Sequence, residues 1–350
     1  MMPNARLTTR NREVLRALVD LHISTGQPVG SLSLAREMQR SVSPATIRNV
    51  LAEMERLGLL DHPHTSAGRV PTDEGYRVYV DSLMRPASLP VREAAAIDSE
   101  LRPAHASSPE QVVERASQVL SRLSRKVGFV LIPETGRTTF RHVDLVRLPH
   151  PRILVVMVSR TGLVSNRVIE VQEEMSQDDL QACANYLNAS FSGMTLSAIR
   201  RRLLEMMAVE RALYDTLLKR VLSVGQRAFT LDEPAGDVYL DGTASILEQP
   251  EFEDLDRLRA LLQTLEAKSR LVRILNACLS GEGVRILIGH ENPDPELRDL
   301  SLVTSSYSLA NEGRWSVGVM GSTRMEYSRM IPLVDHVART VTQTLTELRT

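Results

Sequence analysis

The sequence predicts an α+β protein of several domains: a winged helix-turn-helix at the amino terminus, then an antiparallel α/β sheet domain that a mostly helical segment interrupts. Three observations predict this. The 350 residues exceed one ordinary domain. Caps and helical periodicity mark three helices and a hairpin within residues 1–85. Strand-like apolar segments occur between residues 127 and 171 and again after residue 280.

The first two helices are predicted from their caps and apolar spacing. Thr8 or Thr9 is placed to cap a helix that ends at residues 26–28, Gly-Gln-Pro. Ser31 is the predicted N-cap of a shorter second helix. Residues 39–42 then form a tight connection to a third helix, as helix-turn-helix geometry requires.

The third helix is the predicted recognition helix. Ser43 can cap it, Pro44 suits its first position, and Gly58 can end it with a positive φ. Its spacing predicts a buried face of Ile47, Val50, Leu51, Met54 and Leu57, and an outer face of Ala45, Arg48, Asn49, Ala52 and Arg56. Arginine and asparagine read guanine and adenine edges in the major groove. The alternative is an ordinary amphipathic helix with a solvated polar face.

A hairpin is predicted next, because apolar pairs at residues 59–60 and 69–70 bracket a polar loop containing proline and glycine. Thr72 then caps a closing helix. This order of elements is typical of a winged helix domain.

We expect two groups of residues to contact DNA. Ser43, Thr46, Arg48 and Asn49 would engage the major groove, and Pro44 and Ala45 would allow close approach. On the wing, His64, Thr65, Ser66, Gly68 and Arg69 would contact the backbone or minor groove. The net charge of −1 argues against a nucleic-acid partner at first sight, but residues 1–56 hold eight arginines against five acidic residues.

The rest of the chain predicts a sheet domain with an insertion. Residues 86–108 resemble a proline-interrupted linker, with a short helix near residues 91–101, and Ser108 begins a helix in the form of a capping box. Strands are expected at residues 127–132, 140–146, 153–158 and 163–171, paired antiparallel because their connections are short, and at 284–288, 302–309 and 315–320. The predicted boundaries are 1–85 for the winged helix-turn-helix, 86–108 for the linker, 109–173 and 281–350 for the sheet domain, and 174–280 for the insertion.

The insertion carries long apolar helical stripes that could form a dimer surface. The expected dimerisation residues are Leu196, Ile199, Leu203, Met207, Leu213 and Leu217. A homodimer is independently expected, because one winged helix covers only one half-site of a two-fold operator. The same stripes would equally serve as internal core.

Composition excludes several classes of protein. No apolar run approaches the roughly 18 residues that span a bilayer, and no secretory signal is visible, so we expect a cytoplasmic protein. Cys183 and Cys278 are too few for a zinc cluster and are expected to be buried. His62 and His64 lack further ligands nearby, so no metal, no cofactor and no enzymatic activity are predicted.

Several motifs resemble the family of the heat-inducible transcription repressor HrcA. They are PVGS (28–31), SPATIRN (43–49), GLL (58–60), HTSAGRVPT (64–72) with Gly75-Tyr76, DGT (241–243), QPEF (249–252) and IGHEN (288–292). The resemblance covers nearly the whole length, and SPATIRN and HTSAGRVPT are its most specific stretches.

The resemblance implies a GAF-like sheet domain carrying an inserted dimerisation domain. It also implies an inverted-repeat operator upstream of chaperone operons, and the chaperonin GroEL as the partner that keeps the repressor active. Two other functions stay open. One is a regulator that senses a small ligand through the GAF-like domain. The other is an interaction module whose winged helix contacts protein.

Overall fold

A computed structural model of the chain describes most of the sequence. The described residues are 7–39, 42–63, 68–85, 87–102, 108–132, 139–149, 151–160, 164–171, 173–209, 216–228, 237–246, 255–266, 271–272, 274–275, 283–308 and 314–348.

Residues 7–83 form the amino-terminal head. Its elements are α1 (Thr9–Thr25), α2 (Ser31–Glu37), α3 (Pro44–Arg56), β1 (Leu60–Asp61), β2 (Val70–Pro71), α4 (Asp73–Val78) and a π-helical turn (Tyr79–Leu83). Thr8 caps α1 and Thr72 caps α4, each by accepting a backbone N–H, as predicted. The N-cap of α2 is Gly30 rather than Ser31, because the helix begins one residue earlier and Ser31 already lies inside it. The head is therefore a winged helix-turn-helix.

A five-stranded antiparallel sheet follows, built from distant parts of the chain. Its strands are β3 (Val127–Ile132), β7 (Asp237–Asp241), β8 (Val284–Ile288), β9 (Leu300–Ser308) and β10 (Arg314–Ser322), in the order β7-β3-β10-β9-β8. On one face it shares a core with α6 (Pro109–Ser124) and α11 (Tyr327–Glu347), and this core continues into the head. On the other face it packs against α10 (Leu255–Glu266).

A separate unit lies between β3 and β7. A three-stranded antiparallel sheet is formed by β4 (Phe140–Arg147), β5 (Arg152–Ser159) and β6 (Val164–Glu170). It shares its own apolar core with α7 (Gln177–Phe191), α8 (Leu196–Val209) and α9 (Thr216–Ala228). We call residues 139–228 the inserted unit.

This arrangement corrects the predicted strand pairing. The antiparallel pairing of β4, β5 and β6 is confirmed, but β3 does not pair with β4. Both edges of β3 are occupied, by β10 and β7, so no edge remains for β4. β7 also lies in the range that was predicted to be mostly helical, and no strand was expected there. A short connection along the chain therefore did not decide which strands pair.

The segment predicted as a linker contains a packed helix, α5 (Val91–Leu101). Ile97 and Leu101 are buried, and Asp98 accepts hydrogen bonds from His336 Nε2 at 2.8 Å and Thr340 Oγ1 at 2.9 Å on α11. The carboxylate of Glu93 pairs with Arg329 at 2.9 Å. The chain between the head and α6 is thus tied to the carboxyl-terminal helix. Among the described residues, no helix is long and apolar enough to cross a membrane.

Candidate nucleic-acid interface

The recognition helix α3 begins and ends where its residues dictate. The Ser43 hydroxyl accepts the backbone N–H of Thr46 at 3.2 Å, and Pro44 occupies the first turn, where no N–H is needed. Gly58 follows the helix with φ +74°, a conformation that glycine adopts at little cost. The predicted capping of α3 is therefore confirmed at both ends.

The two faces of α3 divide as the sequence predicts. Ile47, Val50, Leu51 and Met54 are at most 7% exposed and join the core of the head, and Leu57 packs against it. The opposite face is open to solvent over Ala45, Arg48, Asn49, Ala52 and Arg56. Ser43 is also exposed, and Pro44 and Thr46 are half-buried. The buried stripe therefore fixes which side of the helix faces outward.

The connection between α2 and α3 sets the angle at which α3 is presented. Gln39, directly after α2, has φ +52°, a left-handed conformation that reverses the chain direction within a short turn. Across that turn, Arg48 Nε lies 3.4 Å from Ser31 Oγ, within weak hydrogen-bonding range. Arg48 is exposed and lies beside the start of α2.

The first helix braces α3 from the other side. Asn11 is 3% exposed, and its Nδ2 donates to Glu53 Oε2 at 3.1 Å. Between the start of α1 and α3 lies an open groove of about 800 Å³, whose lining includes Arg10, Asn49 and Arg56. Two arginines therefore lie beside Asn49 on the same side of the head.

The wing is held against α3 by charge and by close backbone contact. Val29 and Arg69 exchange backbone hydrogen bonds of 2.8 and 2.9 Å, so a third segment joins the β1–β2 hairpin. A side chain at Gly68 would overlap the Val29 backbone, which makes glycine necessary there. Arg69 Nε donates to Glu55 Oε2 at 2.8 Å. Arg69 therefore already pairs with α3, a contact that sequence reasoning missed, while the predicted tip residues His64, Thr65 and Ser66 lie outside the described residues.

The predicted dimerisation residues lie in the interior of the inserted unit wherever the structure describes them. Leu196, Ile199 and Leu203 are at most 2% exposed and pack in the core beneath the three-stranded sheet. Leu213 and the side chains of Met207 and Leu217 fall outside the described part of the chain. For the three visible leucine and isoleucine positions, the core alternative is the observed one, because two further helices and a sheet cover this stripe.

An apolar face that sequence reasoning missed lies on the outer side of that sheet. Val146, Val164 and Val168 are 42, 53 and 51% exposed. The strand register places them beside half-buried Leu154, Val156 and Val158 of the central strand β5. We call these six residues the valine face. The available signal was the run Ile153-Leu154-Val155-Val156-Met157-Val158, which is apolar toward both faces of its sheet although helices cover only one of them.

The remaining predicted sites are structural or undescribed. Cys183 is buried, and burial raises the pKa of its thiol to about 11; Cys278 lies outside the described residues. Tyr79 donates to Asp20 at 2.6 Å, and burial raises the pKa of this phenol above its usual range. Within the described ranges, no cluster of three or more histidine, cysteine, aspartate or glutamate side chains could hold a metal ion.

The chain matches two family models. The family described as "Winged helix-turn-helix transcription repressor, HrcA DNA-binding" matches residues 6–82, and the one described as "HrcA protein C terminal domain" matches residues 110–331. Both matches follow the head and the remainder of the described fold.

Curated relatives and one solved structure are similar over nearly the whole length. The heat-inducible transcription repressor HrcA of Geobacter sulfurreducens is 40% identical over 343 residues, covering 97% of this chain and 98% of the relative. The protein of the same name from Xanthomonas axonopodis pv. citri is 39% identical over 332 residues, covering 95% and 94%. A crystal structure described as a hypothetical protein at 2.2 Å resolution has a TM-score of 0.63 and 23% identity, covering 98% of this chain and 99% of that one, and supports the fold alone.

Proposed function

Because this chain belongs to the HrcA family of heat-inducible transcription repressors, we infer that it binds, as a homodimer, an inverted-repeat operator upstream of chaperone operons. The observation that carries this proposal is the exposed Arg48 and Asn49 pair on a helix whose opposite face is buried in the head. A helix so anchored can enter the major groove as a rigid body.

Each exposed residue of α3 has a proposed role. Arg48 and Asn49 contact base edges, and Ser43 and Thr46 contact the groove wall or phosphates. Pro44 and Ala45 are small enough to let the start of the helix approach the bases. Arg10 and Arg56, which line the groove beside Asn49, add positive charge for the phosphate backbone.

The wing contacts the DNA backbone or minor groove next to this site. His64, Thr65 and Ser66 at the tip make these contacts, together with Gly68 and Arg69. The ion pair between Arg69 and Glu55 adds a second role, because it holds the wing at a fixed angle to α3. Arg69 then contributes mainly to affinity rather than to the choice of bases.

Two cores suggest how the body of the protein is divided. We assign the five-stranded sheet with α6 and α11 to the GAF-like domain, and residues of about 139–228 to the inserted dimerisation domain. The separate core of β4–β6 with α7–α9 supports this division. The proposed insertion therefore starts and ends earlier than the 174–280 expected from the sequence.

The valine face is the proposed dimer contact. Contiguous apolar patches on a surface mark association sites, whereas single exposed residues do not. The occupant we propose is a second copy of the chain, because an inverted repeat requires two heads related by a two-fold axis. A sheet face with apolar Leu154, Val156 and Val158 along its centre is self-complementary about such an axis, since apolar rows meet apolar rows.

The dimer proposal is tested by changing the valine face without touching the core. Val168→Asp should convert the dimer to monomers in sedimentation experiments and weaken operator binding with it. Gln181→Asp, on the exposed surface of α7, is the matched control and should leave the dimer intact. A Val168→Asp protein that sediments as a dimer would reassign the contact to another surface.

The chaperonin GroEL is proposed to keep the repressor in its DNA-binding form. A partner that favours one conformation shifts the population toward it, and heat withdraws that partner by filling it with unfolded clients. Repression would then fall as the temperature rises.

The deciding experiment is footprinting on the chain's own upstream region, with and without GroEL. We expect protection of an inverted repeat that Arg48→Ala abolishes and that falls steeply with salt. Binding without sequence preference under both conditions would contradict the proposal. Salt-independent association with a protein would favour the interaction-module alternative, and thermal stabilisation by a metabolite would favour the ligand-sensing one.

A further inference from the structure

A turn after β8 holds the start of α4 through two hydrogen bonds. The turn is the 3₁₀ segment Gly289–Glu291, and its partner is Asp73 at the first position of α4. The Asp73 Oδ2 atom accepts from the backbone N–H of His290 at 2.9 Å and lies 2.6 Å from His290 Nδ1. The head and the five-stranded sheet therefore touch at a defined polar contact.

Arg77, one turn later on α4, makes the second half of this contact. Its Nε donates to Glu291 Oε1 at 2.7 Å, and a terminal nitrogen binds the other oxygen of the same carboxylate. That nitrogen also reaches the carbonyl of Ile286 on β8 at 2.7 Å. Two-point pairing of arginine with a carboxylate fixes orientation as well as distance.

The turn is shaped in advance to receive α4. Glu291 Oε2 accepts the Ile288 backbone N–H at 2.8 Å, which holds the carboxylate in place. The side chain of Asn292 is buried and donates to the carbonyls of Gly289, Leu297 and Leu300 at 2.8–3.0 Å. Gly289 has φ +52°, and a side chain there would overlap the Asp73 carboxylate. We call Asp73, Arg77, Gly289, His290 and Glu291 the α4 clasp.

A second anchor and an apolar contact flank the clasp. Arg324, between β10 and α11, donates to the carbonyl of Ile23 on α1 at 2.9 Å. Tyr76 of α4 packs against Tyr327 of α11 with ring centres 6.1 Å apart, and both are at most 2% exposed. The head is thus held on two helices rather than suspended on a flexible chain.

We propose that the α4 clasp fixes the angle of the head on the body and thereby sets the spacing of the half-sites that the dimer accepts. The inference rests on the proposed function, since spacing has meaning only for two heads on one operator. Arg77 and Glu291 are then positioning residues: they contact no base, yet they decide where the two recognition helices lie relative to one another. Heads on a rigid mount bind the second half-site at high effective concentration, and only at one spacing.

The test compares three DNA duplexes: the operator, the operator lengthened by about five base pairs between its half-sites, and a single half-site. About five base pairs is half a helical turn, which places the half-sites on opposite sides of the duplex. For Arg77→Ala and Glu291→Ala, we expect affinity for the operator to fall at least about tenfold. Affinity for the lengthened duplex and the half-site should stay unchanged, so the preference for spacing disappears.

A double-mutant cycle separates the clasp from general damage. If Arg77 and Glu291 act through each other, the double alanine variant should be no worse than either single variant. Gly289→Ala should reproduce their effect, because it displaces Asp73. Arg147→Ala, which breaks the 2.7 Å pair with Glu174 in the inserted unit, is the matched control and should keep the preference for spacing.

Two results would overturn the proposal. One is a clasp variant that keeps the full preference for the original spacing. The other is a clasp variant that binds the operator more tightly, which would mean that the clasp holds the heads in a non-binding position. Hydrogen exchange of residues 286–292 provides a reading without DNA, since Arg77→Ala should speed exchange there. Faster exchange in a protein that ignores every palindrome would contradict the proposed function and leave the mechanical contact standing.

Discussion

The head and the inserted unit both contain amphipathic helices, but the helices differ in what covers them. In the head, one face of α3 is buried and the other is open, so the polar residues Arg48 and Asn49 are available to a partner. In the inserted unit, the apolar stripe of α8 is fully covered by neighbouring helices and a sheet. The exposed apolar surface lies instead on the back of that sheet, at Val146, Val164 and Val168.

The difference teaches that a stripe on a helix specifies burial and leaves the identity of the covering surface open. Leu203 would be equally buried by its own chain or by a second copy. Only the tertiary arrangement decides between the two, and here the chain itself supplies the cover. For polar faces the inference is stronger, because an arginine and an asparagine on a buried face would each need a partner.

The largest effect that could break this comparison is expected at Leu203. Leu203→Asp places a charge in the core of the inserted unit, where the side chain is 1% exposed, and should lower the free energy of unfolding by at least about 3 kcal/mol. Val168→Asp, on the valine face, should leave the unfolding midpoint nearly unchanged. Denaturant unfolding of both variants measures this contrast.

A Leu203→Asp protein that unfolds like the unmodified chain but has lost its dimer would contradict the core assignment. It would restore the interface expected from the sequence.

The next effect is expected at Arg48, on the open face of α3. Arg48→Ala should cost about 1–3 kcal/mol in binding to the operator and much less on random DNA, because a base contact carries specificity. Competition binding on both duplexes at one salt concentration measures the difference. Equal losses on the two duplexes would reassign Arg48 to a phosphate contact.

A smaller effect is expected at the cap of α3. Ser43→Ala removes the acceptor for the Thr46 N–H and should destabilise the head by about 1 kcal/mol. Ser43→Gly should cost only a few tenths of that, since glycine is itself tolerated at this position. Thermal unfolding of the two variants gives the ranking, and identical midpoints would mean that Ser43 acts only through DNA.

The smallest effect is expected at Arg69. Arg69→Ala breaks the partly exposed pair with Glu55 and should reduce stability by less than about 1 kcal/mol. DNA affinity should fall to a similar extent on operator and random duplexes. If Glu55→Ala, which removes only the partner, weakens operator binding as much as Arg69→Ala does, the wing angle is the dominant contribution. An unaffected Glu55→Ala protein would assign Arg69 to direct backbone contact.

The predictable parts of the fold are those specified within a few residues of the chain. Ser43, Pro44 and Gly58 delimit α3 by local hydrogen bonding and backbone geometry, and both faces of the helix follow from its period. The pairing of β3 could not be predicted, because its partners β7 and β10 lie far along the chain and nothing in Val127–Ile132 distinguishes them from nearby β4. The Arg69–Glu55 contact escaped prediction for a related reason, since it joins two elements that fold toward each other only in three dimensions.

The pairing of β3 with β10 has a consequence for how the protein is made. On the ribosome, the head and the inserted unit emerge early and hold mostly short-range contacts, so each can fold while synthesis continues. β3 must wait for Arg314–Ser322, close to the last residues translated, before one of its edges is satisfied. Until then a strand edge and its apolar neighbours stay open to other nascent chains. The newborn repressor is thus a demanding client of the folding machinery until its final segment is released.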